Sequence, residues 1–288
     1  MIEILRFIRN HPLTRRAPWQ GVWRLLKYQI ATRTLDEAVV RWVDDSYLAV
    51  SKNMSGASGN IYTGLHEYCE MGFLIHYLQP DELFVDVGAN VGAWTVLASA
   101  VCGARTMALE PDPISAQRLR RNIEVNAIQR LVEVHEVAAS RADGRVMFTV
   151  GRDATNRIAT PGDAKVREVP SRSLDSLLPS PPEVVKIDVE GFEEEVLAGA
   201  RSILSAPQLK VLFIEVPPVP PSQLADHPVI RKLAEHGFTR VFYDPAKRLL
   251  SPDDNGLRVF DAIFVRDVEE SQRRLRSTRP RRIFGGSL

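Results

Sequence analysis

Residues 84–100 read FVDVGANVGAWTVLASA. An apolar run carrying one acid, Asp86, gives way to Gly88, Asn90 and Gly92, and then to small and apolar residues. This order predicts a strand, a tight turn and the start of a helix. In an open parallel sheet such a turn lies beyond the carboxyl end of a strand, where ligands bind as the strand order reverses. Gly88 permits the tight turn and lets a ligand approach the backbone. Gly92 opens the helix, whose N-terminus favours a negative group.

Strand-like and helix-like segments alternate outward from this turn. The strand-like runs are LFVDV (83–87), TMALE (106–110), LVEVHEV (131–137), VVKIDV (184–189), VLFIEV (211–216) and FDAIFV (260–265). Residues 114–127 and 192–204 carry apolar residues at helical spacing, and Glu193, Glu194 and Glu195 stand in the first turn of the second helix. Several strand runs are apolar without interruption, as when both faces of a sheet are covered. The pattern predicts a doubly wound, mostly parallel α/β sheet.

Upstream, Pro12 and Pro18 divide residues 1–34 into two short basic helices. Residues 38–51 read as a hairpin around Asp44-Asp45, SGASGN (55–60) as a flexible loop, and 67–78 as a helix stopped by Pro80. Residues 144–176 interrupt the alternation as an antiparallel excursion or a substrate-side loop. The expected organisation is a helical extension (1–34), a hairpin and helix (35–80), a catalytic domain (81–268) and a disordered arginine-rich tail (269–288).

The chain has 288 residues, 44% hydrophobic and 25% charged, an ordinary globular composition. Its two cysteines, Cys69 and Cys102, form neither a disulfide framework nor a zinc pattern. With no secretory signal legible, a cytoplasmic setting is expected. The formal charge is +1, but residues 1–33 hold seven Lys and Arg against one Glu, and 271–288 hold six Arg and no acid. The body is therefore acidic, which argues against a nucleic-acid groove there. The basic ends leave open an anionic partner, and a peripheral membrane contact through residues 1–33 is weighed against a helical extension simply packed on the domain. The packed extension is preferred, because the apolar face is short.

A dinucleotide fingerprint places a second glycine where Asn90 stands. The Asn90 side chain would crowd a pyrophosphate. It suits a ligand without phosphate, whose carboxylate and amine need polar partners. S-adenosylmethionine is such a ligand, and Asp86 is placed to meet its ammonium group. Glu110 ends the next strand 22 residues after Gly88, where an acid binds ribose hydroxyls in this topology. Glu110 alone does not choose between S-adenosylmethionine and NAD.

FVDVGANVG, ALEPDP, SLDSLL and VVKIDVEGFEEEVLAGA, in that order, resemble the FkbM-type S-adenosylmethionine-dependent methyltransferases over about residues 60–266. The resemblance implies a seven-stranded class I methyltransferase sheet, Rossmann-like, and O-methylation of sugar or polyketide hydroxyls. It places Asp86, Gly88, Asn90 and Gly92 at the methionine end of the cofactor, Glu110 at the ribose and backbone near Val137 beside the adenine. The basic ends lie outside the motif.

In VVKIDVEG, strand alternation turns Lys186, Asp188 and Glu190 to one face, and Glu215 ends the next run at a similar level. A hydroxyl attacking a sulfonium methyl must lose its proton as the bond forms, so a base within hydrogen-bond reach helps. Asp188 is the first choice, Glu215 the second and His66 the third. Lys186 and Glu190 are more simply an ion pair and a helix cap. A magnesium ion on Asp188, Glu190 and Glu215 is allowed but not demanded.

The leading function is an O-methyltransferase for a glycan or secondary-metabolite hydroxyl. A small-molecule or lipid-linked acceptor is compatible, and the oligomeric state is unreadable. The alternatives are an NAD-dependent oxidoreductase on a similar alcohol and a non-catalytic adenosyl-binding protein. Gly88→Val is expected to abolish S-adenosylmethionine binding in a calorimetric titration. Unchanged affinity would place the site elsewhere.

Overall fold

The computed structural model describes residues 1–51, 54, 57–151, 155–216, 220–224, 226–253, 261–284 and 286–288. Helices α1 (Ile2–Asn10) and α2 (Pro18–Thr34) lead into the hairpin of β1 (Glu37–Arg41) and β2 (Tyr47–Ser51). Helices α3 (Ser58–Thr63) and α4 (Tyr68–Tyr77) follow. The central sheet begins with β3 (Leu83–Val87), α5 (Ala93–Val96), β4 (Arg105–Leu109), α6 (Pro113–Val125) and β5 (Val132–His135). A small separate sheet comes next, made of β6 (Ala138–Ala139), β7 (Gly144–Thr149) and β8 (Val166–Arg172). After α7 (Leu174–Leu177) the chain returns to the main sheet through β9 (Val184–Ile187), α8 (Glu193–Ala198), α9 (Arg201–Ser205) and β10 (Val211–Glu215). The rest comprises α10 (Pro228–Glu235), β11 (Thr239–Asp244), β12 (Leu249–Pro252), β13 (Asp261–Val265), α11 (Val268–Ser277), β14 (Arg282–Ile283) and β15 (Gly286–Ser287).

The main sheet has the order β12-β11-β13-β10-β9-β3-β4-β5. From β5 to β10 every pairing is parallel, and β13 runs antiparallel to both β10 and β11. The expected doubly wound, mostly parallel sheet is present. It has eight strands rather than seven, because β12 adds an antiparallel edge to β11. The chain steps outward from β3 to β5 and then crosses back to β9. The strand order therefore reverses between β3 and β9.

The uninterrupted apolar runs have the predicted cause. Phe84, Val184, Val211 and Phe213 bury into one layer with α4 and α5 residues such as Phe73 and Trp94. Their strand neighbours Val85, Val185, Leu212 and Ile214 bury into the opposite layer with Val196 and Leu233. Alternation divides each strand between two cores. Asp86 and Lys186 share the α4–α5 side with Phe84 and Val184.

Three expectations need correction. The flexible loop expected over 55–60 is helical from Ser58, the start of α3. Its Gly59, Asn60, Ile61 and Tyr62 are buried, with α2 packed alongside, so tertiary contact overrides a loop-like composition. Positions 55 and 56 lie outside the described residues. The run 192–204 is two helices, because Gly199 brings the backbone against Ser140, whose carbonyl oxygen lies 2.1 Å from where a Cβ would stand.

The basic tail is ordered, not disordered. Helix α11 packs its Leu275 into the core, and the Arg274 guanidinium lies 4.2 Å above the Tyr77 ring. Arg281 is 5% exposed and donates to the carbonyl oxygens of Val101 at 3.0 Å and Ile75 at 3.3 Å, with Asp44 Oδ2 at 3.3 Å. Ile283 bridges to Val43, and Arg24 of α2 stacks 4.3 Å over Phe284. A charge-rich composition hides these buried guanidinium groups. Among the described residues no helix is long and apolar enough to cross a membrane. Arg281→Met should lower the unfolding free energy by about 2–3 kcal/mol, since two buried carbonyls and a carboxylate lose their donor. Urea denaturation measures this.

Candidate functional site

The turn after β3 is set by its neighbours. Gly88 has φ +78°, and a Cβ there would lie 1.9 Å from the carbonyl oxygen of Asp188. The glycine is therefore required first by the close approach of two backbones and not by a ligand. This changes the reason Gly88→Val should fail: the collision is with β9's extension before any ligand arrives. Gly92 has φ +87° and faces Leu119 of α6 at 2.3 Å from a virtual Cβ. Its role is to seat α5 against α6. Asn90 is also left-handed, with φ 52°, a conformation asparagine adopts more readily than most residues.

The turn's amides are occupied. Gly88 N and Ala89 N both donate to the Leu109 carbonyl at 3.0 Å, and Gly92 N donates to Ala89 O at 2.8 Å. Asn90 N donates to Glu110 Oε2 at 2.8 Å, and Asp112 N donates to Glu110 Oε1 at 2.8 Å. The Glu110 carboxylate thus bridges the turn to the start of α6, where Asp112 caps Ser115 N at 3.0 Å. Burial pushes the Glu110 carboxyl up to about 7 against the pull of those two amides.

Two cavities meet here. The first is walled by Val87, Gly88, Asn90, Glu110, Val137 and Asp188, with apolar cover from Leu109, Phe148 of β7 and Ile158. The excursion at 144–176 therefore closes this cavity. Positions 152–154 of this excursion lie outside the described residues. The second cavity is walled by Asn60, His66, Glu67, Trp94, Lys186, Asp188 and Glu190. Gly88, Asn90, Asp188 and Glu190 belong to both walls. Asn90 Oδ1 is buried and accepts no hydrogen bond from a described residue.

Lys186, 3% exposed, organises the second cavity. Its Nζ donates to Asp188 Oδ2 at 2.9 Å, stands 4.0 Å from Asp86 Oδ1 and lies 5.7 Å over the Trp94 ring. The expected Lys186 ion pair is present. The expected Glu190 helix cap is not: Glu193 accepts from Val189 N at 3.4 Å and Gly191 N at 3.1 Å, and Glu190 turns into the cavity walls with φ 55°. Glu67 accepts from Trp94 Nε1 at 2.6 Å. Burial pushes its carboxyl up to about 7, against the attraction of Lys186 and with added repulsion from Asp188.

Asp188 and His66 reach the second cavity, and Asn90, Glu110 and Val137 reach the first. Asp86 lines neither. It is fully buried beneath the turn, its Oδ2 accepting from Thr95 Oγ1 at 2.7 Å, and burial pushes its carboxyl up against the pull of Lys186. It acts on the cavity through Lys186 and not by direct contact. Glu215 also lines neither cavity. It ends β10, one strand beyond β9, and pairs in register with position 261 of β13. The magnesium triad of Asp188, Glu190 and Glu215 is therefore not assembled. Among the described residues no group of three or more His, Cys, Asp or Glu is arranged to hold a metal. Glu67 was missed by sequence reasoning. Its only signal was its place beside His66, ahead of α4. His76, outside both cavities, is fully buried with Nδ1 2.7 Å from the Tyr243 hydroxyl.

The mostly parallel α/β sheet, with a crevice where its strand order reverses, is of the class I methyltransferase, Rossmann-like type. A family model described as the methyltransferase FkbM domain matches residues 86–240, more than half of the chain. The chain belongs to the FkbM methyltransferase family. Hexuronic acid methyltransferase AglP of Haloferax volcanii is 28% identical over 148 residues, 49% of this chain and 59% of AglP. Among solved structures, methyltransferase FkbM of Methylobacillus flagellatus is 18% identical, with 86% of this chain and 60% of that one covered, at a TM-score of 0.44. TYW2 of P. horikoshii, in complex with MeSAdo, is 12% identical, with 87% and 84% covered, at a TM-score of 0.45. The chain spans about three fifths of the length of AglP and of the M. flagellatus protein.

The raised Glu110 carboxyl has a stability consequence. A carboxyl held near 7 in the fold and 4.5 outside it favours the fold below pH 4.5 and loses that advantage as pH rises to about 7. Glu110→Gln should remove a loss on the order of 3 kcal/mol between those limits. Urea midpoints compared at pH 5 and about pH 8 read this out, and an equal slope in both proteins would contradict it.

Proposed function

We propose that the chain is an S-adenosylmethionine-dependent O-methyltransferase acting on a hydroxyl of a glycan or secondary metabolite. The observation that carries this reading is the shared wall: Gly88, Asn90, Asp188 and Glu190 border two cavities, one suited to a nucleoside and one polar. The first cavity's hydrogen-bond acceptors fit S-adenosylmethionine. Glu110 is fixed by two amides and keeps lone pairs for the ribose hydroxyls. Val137, Phe148 and Ile158 give the adenine an apolar border. The unfilled Asn90 Oδ1 matches an ammonium donor. The self-bonded amides of Gly88, Ala89, Asn90 and Gly92 leave little to hold a pyrophosphate, which weighs against NAD. When bound, S-adenosylmethionine supplies an electrophilic methyl carbon.

The chain's own residues orient the acceptor and take its proton. Asp188 stands where the cavities join, and Lys186 fixes one of its oxygens. We assign it the hydroxyl proton. Glu67, Asn60 and His66 lie in the second cavity alone and position the acceptor. Holding the hydroxyl in line with the methyl carbon accounts for much of the rate. AglP carries hexuronic acid in its name, so a sugar acid hydroxyl is the acceptor class to test first.

Incubation with methyl-labelled S-adenosylmethionine, uronic acids and glycan extracts, followed by mass analysis, tests the reading. No labelled product, with cofactor bound, would leave a binding protein instead. Asp188→Asn should leave cofactor affinity nearly intact and lower kcat about a hundredfold or more. Glu67→Gln should raise KM more than it lowers kcat. The opposite pattern in the two variants would transfer the base to Glu67.

A further inference from the structure

Helix α2 is apolar on two opposite faces. Gly21, Leu25 and Thr32 are buried, and Arg24 on that side donates to the Tyr62 carbonyl at 3.0 Å. A Cβ on Gly21 would lie 2.6 Å from Ile8, so α1 and α2 are pressed together. The other face exposes Trp19 (68%), Trp23 (54%), Leu26 (46%) and Ile30 (60%). The spacing 19, 23, 26, 30 puts these four in one row along the helix. Isolated exposed apolar residues need no explanation, but a row with two tryptophans does.

Charge identifies what covers the row. Arg15, Arg16, Lys27 and Arg33 are exposed on or beside α2, and Arg6 and Arg9 are exposed on α1. Among the described residues none of them pairs with a carboxylate. Lys27 Nζ instead lies 5.3 Å over the Trp23 ring. Apolar residues with tryptophan on one face, flanked by unpaired cations, form the pattern of a helix lying in a membrane interface. The length and composition of α2 suit lying on a bilayer and not crossing it. A second copy meeting the first through the same face would bring two strongly basic extensions together, an arrangement opposed by repulsion.

We propose that the exposed row of α2, Trp19, Trp23, Leu26 and Ile30 with its flanking cations, seats the protein on an anionic lipid surface. The surface belongs to the layer beside the second cavity: α3, packed on α2, supplies Asn60 to that cavity, and Phe7 of α1 lies 5.0 Å from the His66 ring. The proposal stands independently of the methyl-transfer reading, because neither the row nor its cations line the cavities.

The test uses the whole chain and vesicles of phosphatidylcholine with phosphatidylserine in equal parts, against phosphatidylcholine alone. Trp42 and Trp94 are already buried, so a blue shift of tryptophan emission on adding vesicles reports Trp19 and Trp23. The expected result is a blue shift and co-sedimentation with the anionic vesicles, reduced by salt and weak with the neutral ones. The variant Trp19→Gln, Trp23→Gln, Leu26→Gln, Ile30→Gln should bind anionic vesicles at least about tenfold more weakly with an unchanged unfolding midpoint. A second variant, Arg15→Gln, Arg16→Gln, Lys27→Gln, Arg33→Gln, keeps the row and should lose the preference for anionic lipid. Wild-type protein left in the supernatant with anionic vesicles overturns the proposal, as does equal binding by either variant. A wild-type dimer that the first variant makes monomeric, with no lipid binding, also overturns it and assigns the row to a second copy.

Discussion

The contact between Gly88 and the Asp188 carbonyl fixes the geometry of everything around it. Strands β3 and β9 run parallel with Val87 opposite Ile187, and just past that pair the two chains part toward α5 and α8. A carbonyl 1.9 Å from a virtual Cβ means no other residue type fits without moving one strand. Because the two backbones touch there, Glu110 lies to one side and Lys186 to the other, with Asn90 and Asp188 bordering both. The two cavities share a wall for the same reason.

Around that contact the chain buries more negative charge than positive. Asp86, Glu67 and Glu110 each have carboxyls raised by desolvation, and Lys186 is the cation central to the first two. Such a grouping is costly to assemble and is held by fixed hydrogen bonds: Thr95 on Asp86, Trp94 on Glu67, and the backbone on Glu110. The reward is a set of acceptors already oriented before a ligand arrives. The lysine is equally constrained, between two carboxylates and an aromatic face, so Asp188 presents a defined orientation at the junction.

Much of this was legible in the sequence, and the failures have physical causes. The parallel strands announced themselves because burial on both faces makes them apolar throughout. Glu110 lines the first cavity, where the sequence places it, because strand length and helix length fix how far the second strand's end lies from the glycine turn. Alternation sets Lys186 and Asp188 on one face, as their 2.9 Å contact shows, but it does not say which side chains wall a cavity, and Glu215 lies outside both walls. Asp86 was likewise placed at the ligand, although a side chain inside the strand points into the layer beneath. Glu67 comes from a different element, and only tertiary packing brings it to Lys186. The tail misled because composition counts charges without knowing where they go: Arg274 lies on Tyr77, and Arg281 is inside.

Two kinds of contact hold the α1–α2 layer, and they differ in sequence span. Ile8 and Leu25 cluster with Tyr62, a neighbour close along the chain. Phe284 lies beneath the Arg24 guanidinium, and Ile283 bridges to Val43 while pressing on Gly64. These second contacts close very long loops, so they carry the larger entropic cost and complete late in folding, after the local cluster has formed.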